Sequence, residues 1–434
     1  MPFETTRGAS RRVAVIGGGI SGLGAAHLLA KDHSVVVFEA ESRFGGHART
    51  VTAGRFGDQP VDTGFIVFNY ANYPNLTKLF DELDVPVKKS DMSFAASIDG
   101  GRLEYGLRTV GTLFAQKRNL FRPAYLRMIK DIATFNRRAV EVADDPEITI
   151  GQFLDKLGTG PWFRDYYITP LSGAIWSTPV SKILDFPARA MVQFFENHAL
   201  LGATGQHQWY TVDGGSIEYV SRLSRSLNEA GVEMRAPAKV TAVQRIEDGV
   251  LVKVEGGDWE PFDDVVFAAH SDQTLAMLAD SSEAERAALG AVKYQANEAI
   301  LHGDASTMPQ HRNIWAAWNY VEERGKTADR IDLTYWMNKL QSIPNDDPLF
   351  VTLNTTRPIR GALIYDTVTF HHPVYDMPAQ HAREALRSMQ GMRNTYFCGA
   401  WMRNGFHEDG FASAVDAVAV LNARNRAPNK VAAA

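Results

Sequence analysis

The fold is decided between residues 11 and 26, where the sequence reads RRVAVIGGGISGLGAA. Its apolar part, Val13–Ile16, is short and rich in β-branched residues, which indicates a buried parallel strand. The glycines that follow open a helix that we expect to run to about Ala30. A second apolar run over residues 35–38 predicts the next strand, and it ends in an acid, Glu39. This order of elements predicts a βαβ unit that binds a dinucleotide.

Each residue of the turn has a physical role in that interpretation. Gly17 permits the tight turn, Gly19 lets a pyrophosphate approach the backbone, and Gly22 lets the helix pack closely on the strand. The pyrophosphate would lie at the helix N-terminus near Ser21, where free N–H groups and the helix dipole favour negative charge. Glu39 can accept hydrogen bonds from ribose hydroxyls, and its charge would repel the 2′-phosphate of NADP.

Composition excludes several other classes of protein. The 434 residues suffice for two or three domains, and 45 basic against 50 acidic residues give a net charge of −5, so no nucleic-acid partner is expected. The single cysteine, Cys398, excludes internal disulfides, and we expect it to be a small buried side chain. No apolar run is long enough to span a membrane, and the N-terminus lacks an apolar signal core. We therefore expect a cytoplasmic protein.

A second glycine pair narrows the choice of dinucleotide. Gly45 and Gly46 follow the ribose-binding acid directly, with Arg43 before them and His47 after them. This segment resembles a motif of the FAD-dependent amine oxidase and phytoene desaturase superfamily. The resemblance implies that the segment from Ala40 onward lies along the ribityl and pyrophosphate of FAD, with Arg43 matching the arginine of the motif.

Further motifs resemble the same superfamily. Thr63, Gly64 and Phe65 match a short segment whose backbone passes close to the flavin. Near the C-terminus a strand runs into Gly399, followed by a glycine-rich turn and a helix expected over residues 412–422. The resemblance implies non-covalent FAD, and it assigns further cofactor contacts to Val240 at the adenine and to Gly399, Glu408, Gly410 and Phe411 at the flavin.

The scattered motifs predict the domain organisation. The fold class is α/β, with a Rossmann-type, GR2-like FAD-binding domain into which a mixed α+β substrate domain is inserted. We assign residues 1–90, 206–290 and 386–434 to the discontinuous FAD-binding domain. The substrate domain takes residues 91–205 and 291–385. The oligomeric state is not predicted.

The resemblance also implies the chemistry, because in this superfamily the flavin N5 atom accepts a hydride. Phe406 falls near the place of an aromatic ring that amine oxidases put beside the flavin, but its spacing to Gly410 is one residue longer and it lacks a hydroxyl. That departure argues against an amine substrate. We expect Phe406 and Trp176 to line the substrate cavity. His407 is a candidate for proton transfer, although capping the following helix or binding the cofactor would also explain it. No metal site is expected, since His371 and His372 point apart on a strand.

A basic, aromatic stretch covers residues 105–130, with six bases and no acid. Pro123 divides it into two predicted helices. A basic amphipathic segment of this kind is typical of a membrane interface, although a solvated basic face over ordinary core residues has the same pattern. The residues predicted to contact an anionic membrane are Lys117, Arg118, Phe121, Arg122 and Arg127.

The combined motifs resemble a bacterial amine-oxidase-like subgroup linked to branched and cyclopropane fatty acyl synthesis. The resemblance implies an FAD-dependent desaturase acting on methyl-branched or unsaturated acyl chains, within membrane phospholipids, so that the protein would visit the inner membrane surface. Three alternatives stay open: an acyl double-bond isomerase, a flavin amine oxidase, and a flavin-bearing partner of a lipid-modifying enzyme without chemistry of its own.

Overall fold

The computed structural model describes residues 10–202, 205–325 and 330–426. The outermost residues of the predicted FAD-binding domain, 1–9 and 427–434, lie outside this part. The strands of the described residues, in chain order, are β1 (Arg12–Ile16), β2 (Ser34–Phe38), β3 (Thr50–Ala53), β4 (Gln59–Asp62), β5 (Val67–Phe68), β6 (Val87–Ser90), β7 (Phe94–Ile98), β8 (Leu103–Gly106), β9 (Trp209–Val212), β10 (Glu233–Arg235), β11 (Val240–Ile246), β12 (Gly249–Val254), β13 (Trp259–Phe262), β14 (Asp264–Phe267), β15 (Tyr294–His302), β16 (Trp318–Val321), β17 (Leu333–Trp336), β18 (Phe350–Leu353), β19 (Ile364–Pro373) and β20 (Thr395–Phe397).

The helices pack around these strands. They are α1 (Ile20–Leu29), α2 (Pro74–Glu82), α3 (Val110–Leu113), α4 (Pro123–Val142), α5 (Ile150–Leu157), α6 (Pro161–Phe163), α7 (Thr169–Trp176), α8 (Val180–Ile183), α9 (Ala188–Asn197), α10 (Ile217–Glu229), α11 (Ser271–Met277), α12 (Glu283–Ala291), α13 (Met337–Leu340), α14 (Met377–Ser388) and α15 (His407–Arg426).

A five-stranded sheet in the order β10-β2-β1-β14-β20 carries the predicted dinucleotide site. Its strand pairs are parallel, and β1 lies in the centre between β2 and β14. Val13, Ala14 and Val15 are completely buried. Helices α1, α10 and α15 cover one face of the sheet, and the three-stranded sheet β11-β12-β13 covers the other together with α12 and α14. The βαβ unit predicted from residues 11–39 is confirmed.

A second, seven-stranded sheet in the order β19-β15-β18-β17-β16-β7-β8 forms the other large layer. Its strands lie within the segments predicted as the inserted domain, and α4, α5, α7 and α9 pack on them in one large apolar core. The α/β class with a Rossmann-type sheet and an additional mixed domain is confirmed. Two helices cross predicted boundaries: α12 ends at Ala291, one residue past 290, and α14 spans residue 385. They pack beside each other in the core of the five-stranded sheet.

The C-terminal helix begins earlier than its sequence pattern indicates. The prediction placed it over residues 412–422, whereas α15 starts at His407. Residues 407–411 look like a turn because two glycines flank a polar run. They are helical because the Gly410 N–H donates to the carbonyl of Phe406, 3.1 Å away, and Gly410 packs tightly against Ile20 and Ser21.

The basic stretch folds into a 3₁₀-helix over Lys117–Phe121 and then α4, which begins at Pro123. Proline suits the first position of a helix, so the predicted break lies where the structure has it. No helix among the described residues is both long and apolar enough to cross a bilayer.

Candidate active site

The turn between β1 and α1 has the geometry of a dinucleotide cradle. Gly17 has φ of +114°, and a Cβ there would lie 2.8 Å from the carbonyl oxygen of Ala268 on the neighbouring strand. A Cβ on Gly22 would lie 1.8 Å from the carbonyl oxygen of Gly17, so only glycine fits. Gly19 precedes α1, whose N-terminus has no side-chain cap. Its first N–H groups therefore remain available to an anion.

The carboxylate of Glu39 is held at the edge of this turn. One oxygen accepts a 2.7 Å hydrogen bond from the Gly18 N–H, and the other accepts a 2.8 Å bond from the Glu41 N–H. The Glu39 carbonyl accepts from Ala238, two residues before Val240, while Ala40 is exposed beside it. The predicted ribose and adenine contacts thus lie together at one end of the sheet.

The second glycine pair lies directly against the first turn. Gly45 donates to the Gly18 carbonyl at 2.8 Å, and a Cβ on Gly46 would lie 3.1 Å from the Cα of Gly19. The Arg43 guanidinium donates to the carbonyls of Gly46 and Ala48. In the structure Arg43 therefore fixes the shape of this loop.

The 63–65 segment continues from the loop toward the inserted domain. The Phe65 N–H donates to the His47 carbonyl at 2.8 Å, and a Cβ on Gly64 would lie 2.0 Å from that same oxygen. Thr63 bonds to the carbonyl of Arg49. The backbone path past His47 is consequently fixed to one geometry.

The start of α15 packs on the start of α1. A Cβ on Gly410 would lie 2.9 Å from Ser21 Oγ, and a Cβ on Gly24 would lie 2.4 Å from the Phe411 ring. Gly399 has φ of +155°, and its N–H donates to Ser413 Oγ at 2.8 Å. The N-terminal and C-terminal motifs, almost 400 residues apart in sequence, therefore form one site.

His407 lies buried at this junction. Its ring stacks on Phe65 with centroids 3.8 Å apart, and Nε2 is 2.6 Å from the hydroxyl of Tyr219. Burial lowers the pKa of His407 to about 3, so the imidazole is neutral at pH 7. A neutral imidazole can accept a proton at its unprotonated nitrogen, and so low a pKa makes it a weak base.

Glu408 points away from the turn. Its carboxylate accepts hydrogen bonds from the Asn75 N–H, the Asn75 side-chain amide and the Leu76 N–H. Those groups form the N-terminus of α2. The bonds give Glu408 a capping role for α2, and its predicted flavin contact has no support from this geometry.

Phe406 and Trp176, predicted to line the substrate cavity, both contact Phe194. The rings of Phe406 and Phe194 stack with centroids 4.6 Å apart, and Trp176 lies 5.2 Å from Phe194. His198 also stacks on Phe194, at 3.9 Å, and lies 6.0 Å from the Phe406 ring; burial lowers its pKa to about 4. We call Trp176, Phe194, His198 and Phe406 the aromatic cluster. Every member is uncharged at neutral pH.

Comparison with known proteins identifies the family. The profile of the family described as flavin containing amine oxidoreductase matches residues 20–302. The chain belongs to this family. It is an FAD-dependent oxidoreductase, and its cofactor is FAD.

Solved structures agree on the fold but differ in substrate. A fatty acid isomerase from P. acnes that produces CLA shares 14% identity over 94% of this chain and 98% of its own, with a TM-score of 0.68. Cyclohexylamine oxidase from Brevibacterium oxydans IH-35A shares 15% identity over 96% and 99%, with a TM-score of 0.68. A reduced UDP-galactopyranose mutase shares 13% identity over 96% and 98%, also with a TM-score of 0.68. None of the curated proteins compared with the chain matches it. These likenesses establish the fold but do not identify the substrate, which has to be inferred from the residues of the site.

The residues of the site fit FAD. Gly19 and Gly46 approach each other closely where a pyrophosphate would run, and α1 offers uncapped N–H groups there. At the other end, the hydroxyl of Tyr375 is buried without a hydrogen-bond partner in the described residues, and it lies against Gly405 at the turn before α15. Cys398 is completely buried, and burial raises its pKa to about 12. Its thiol is therefore inert toward a flavin.

The sequence points to His47 and His372 without predicting that they are neighbours, and it gives no role to the buried acids Asp62 and Asp409. His47 stacks on His372 at 5.6 Å, and His372 Nδ1 lies 2.8 Å from the side-chain amide of Asn297. Burial lowers the pKa of His47 to about 4 and of His372 to about 3. Asp62 and Asp409 are buried carboxylates whose pKa values burial raises to about 6. The partners of His47, His372 and Asp62 come from distant segments, so no local pattern reveals them. Asp409 accepts a local hydrogen bond from the Phe406 N–H at 3.0 Å. Within the described residues no group of three potential ligands could hold a metal ion.

Proposed function

We propose that the protein is a fatty acyl desaturase that holds FAD non-covalently and acts on methyl-branched or unsaturated chains, including chains of membrane phospholipids. The observation that carries this proposal is the aromatic cluster. Phe406, one residue before the start of α15, joins the FAD-side helix to Phe194 and Trp176 of the inserted domain.

The chemistry of the aromatic cluster favours a hydrocarbon substrate. Its aromatic faces offer apolar contact area, and its one titratable member, His198, stays neutral. Phe406 also lacks the hydroxyl that its counterpart has in amine oxidases. A fatty acyl chain gains free energy from burial on such a surface, while an ammonium group would lose its hydration there.

The reaction removes two hydrogens from adjacent carbons. Two C–H bonds break and a C=C bond forms, with one hydrogen leaving as a hydride and the other as a proton. FAD, when bound, supplies the hydride acceptor at N5. The aromatic cluster orients the chain and excludes water. His407 is our candidate for receiving the proton because it lies at the start of α15 with its ring stacked on Phe65. Burial lowers its pKa to about 3, so it can hold the proton only transiently.

An acyl double-bond isomerase is the second candidate. It is favoured by the likeness in fold to the fatty acid isomerase from P. acnes. Such an enzyme would return the hydride to another carbon of the same chain, so it would need no electron acceptor. The aromatic cluster serves either reaction.

The test is anaerobic reduction of the purified yellow protein. Phospholipid vesicles with branched or unsaturated chains should bleach the flavin absorbance, and simple amines should leave it unchanged. Conversion of a lipid without net bleaching would favour the isomerase. Bleaching by amines alone would mean an amine oxidase, and bleaching by neither, with lipid unconverted, would mean a non-catalytic flavin-bearing partner. Phe194→Leu should slow the bleaching by lipids while FAD stays bound.

A further inference from the structure

A cavity in the predicted inserted domain has four Lys and Arg side chains among its eleven lining residues. It has a volume of about 680 Å³. Its wall combines the turn between β7 and β8, the start of the 3₁₀-helix, the 310–311 loop and the turn at residue 324. The charged residues that line it are Asp99, Arg102, Lys117, Arg118 and Arg324.

Most of this positive charge is not neutralised within the protein. Arg102 pairs with Asp99 at 3.4 Å. Lys117, Arg118 and Arg324 make no ion pair with any residue in the described parts of the chain. All three side chains are exposed. The cavity therefore offers three cations to a ligand from outside.

The cavity wall is held in place by a buried scaffold. Glu104 is completely buried and bonds to His311, to the N–H of Gln310 and to Ser97. Gln116 bridges the carbonyl of Gly101 and the N–H of Glu104. Arg118 donates to the Arg102 carbonyl at 2.6 Å, which ties the 3₁₀-helix to the turn between β7 and β8.

The same 3₁₀-helix carries an apolar edge. Phe121 is 86% exposed and Leu120 is 47% exposed, although water disfavours large apolar side chains. In a 3₁₀-helix the side chains three residues apart share a face, so Phe121 lies beside Arg118 and Leu120 beside Lys117. The 3₁₀-helix thus presents basic groups and apolar side chains to solvent together.

We propose that this cavity binds the phosphate headgroup of an anionic phospholipid in a bilayer, with Phe121 and Leu120 inserted among the acyl chains. A bilayer is the partner that presents phosphate and hydrocarbon side by side, which matches the pairing of Arg118 with Phe121. Arg122 and Arg127 take local roles, bonding to Asn119 and pairing with Asp131. This inference stands apart from the proposed reaction and holds for a desaturase, an isomerase or a non-catalytic partner.

The experiment is co-sedimentation of the FAD-loaded protein with vesicles of phosphatidylcholine alone or mixed with phosphatidylglycerol. The wild type should bind the mixed vesicles and bind phosphatidylcholine vesicles at least tenfold more weakly. The double variant Lys117→Glu/Arg118→Glu should weaken binding to mixed vesicles by about 25-fold or more, since each base near an anionic surface contributes about fivefold. Arg324→Glu, outside the basic stretch, should weaken it by about fivefold or more.

Matched controls separate a built site from general electrostatics. Arg137→Glu/Arg138→Glu reverses two exposed charges on α4, and Met392→Glu removes an exposed apolar side chain beside the FAD-binding sheet. Both should bind mixed vesicles like the wild type, whereas Phe121→Glu should weaken binding. Flavin absorbance and melting temperature check that each variant is folded. Equal loss of binding in Arg137→Glu/Arg138→Glu, or unchanged binding in Lys117→Glu/Arg118→Glu, would overturn the proposal.

Discussion

The ring of Phe406 stacks on the ring of Phe194, with centroids 4.6 Å apart and planes inclined by 19°. The two residues come from different predicted domains and lie more than 200 positions apart in sequence. Their contact places an apolar wall beside the predicted flavin end of the cofactor site, and the proposed substrate class depends on that wall.

The aromatic cluster should control turnover rather than cofactor binding. Phe194→Leu removes the stacked ring but keeps an apolar side chain, and kcat/KM for an acyl substrate should fall about fivefold, because aromatic pairs contribute on the order of 1 kcal/mol beyond burial. Phe163→Leu is the matched control, since Phe163 is fully buried in the same domain but contacts other rings. It should lower the melting temperature and leave kcat/KM unchanged. An equal loss of kcat/KM in both variants would mean a purely structural role for Phe194.

The turn at Gly19 should accommodate an added methyl group when FAD is absent. The same methyl group should hinder the binding of FAD. A Cβ at Gly19 would have its nearest neighbour 3.9 Å away, so Gly19→Ala should fold without FAD as the wild type does. The added methyl points where the pyrophosphate would lie, and FAD affinity should fall at least tenfold, which is about 1.4 kcal/mol. Isothermal titration with FAD measures this change. Gly290→Ala, with a nearest neighbour at 3.7 Å, is the control. Unchanged FAD affinity in Gly19→Ala would mean that the cofactor does not bind at this turn.

Glu408 should stabilise α2 without touching the flavin. Glu408→Ala leaves the Asn75 and Leu76 N–H groups without their acceptor, and loss of such a cap costs about 1–2 kcal/mol. Urea denaturation of the holoenzyme should show that loss, while the FAD absorbance spectrum should match that of the wild type. A shifted spectrum with unchanged stability would instead restore the flavin contact predicted from the sequence.

The sequence predicts some parts of the site and not others. Residues 11–39 predict their own fold, because the strand, the turn and the helix are local and Gly22 packs against Gly17 within the same unit. Phe194 gave no signal beyond the apolar periodicity of α9, since its partners Trp176 and Phe406 come from separate segments. The start of α15 was missed because its helical bonds depend on packing against α1, which no short window contains.

Protonation of His407 should make stability depend on pH. The pKa is 6.5 for an ordinary histidine and about 3 in the folded state, so the unfolded chain binds the proton first as the pH falls. The contribution of the neutral His407 imidazole to the free energy of unfolding is complete above pH 6.5. It decreases by about 1.4 kcal/mol per pH unit as the pH falls toward 3. His407→Gln can keep the bond to Tyr219 without titrating, so its unfolding free energy should fall less steeply between pH 6.5 and 4.5 than that of the wild type. His381→Gln, at an exposed site, should follow the wild type. Parallel curves for wild type and His407→Gln would contradict a buried neutral imidazole.

The most direct test of the central claim is the mass of the acyl product in a single anaerobic turnover. FAD-loaded protein is mixed with one equivalent of a phospholipid whose acyl chains are defined, and the released chains are weighed by mass spectrometry while the flavin absorbance is followed. A desaturase predicts a chain lighter by two hydrogen atoms for every flavin bleached. An acyl chain of unchanged mass with a displaced double bond would contradict the account. So would an unchanged acyl chain, if amines bleach the flavin of the same protein.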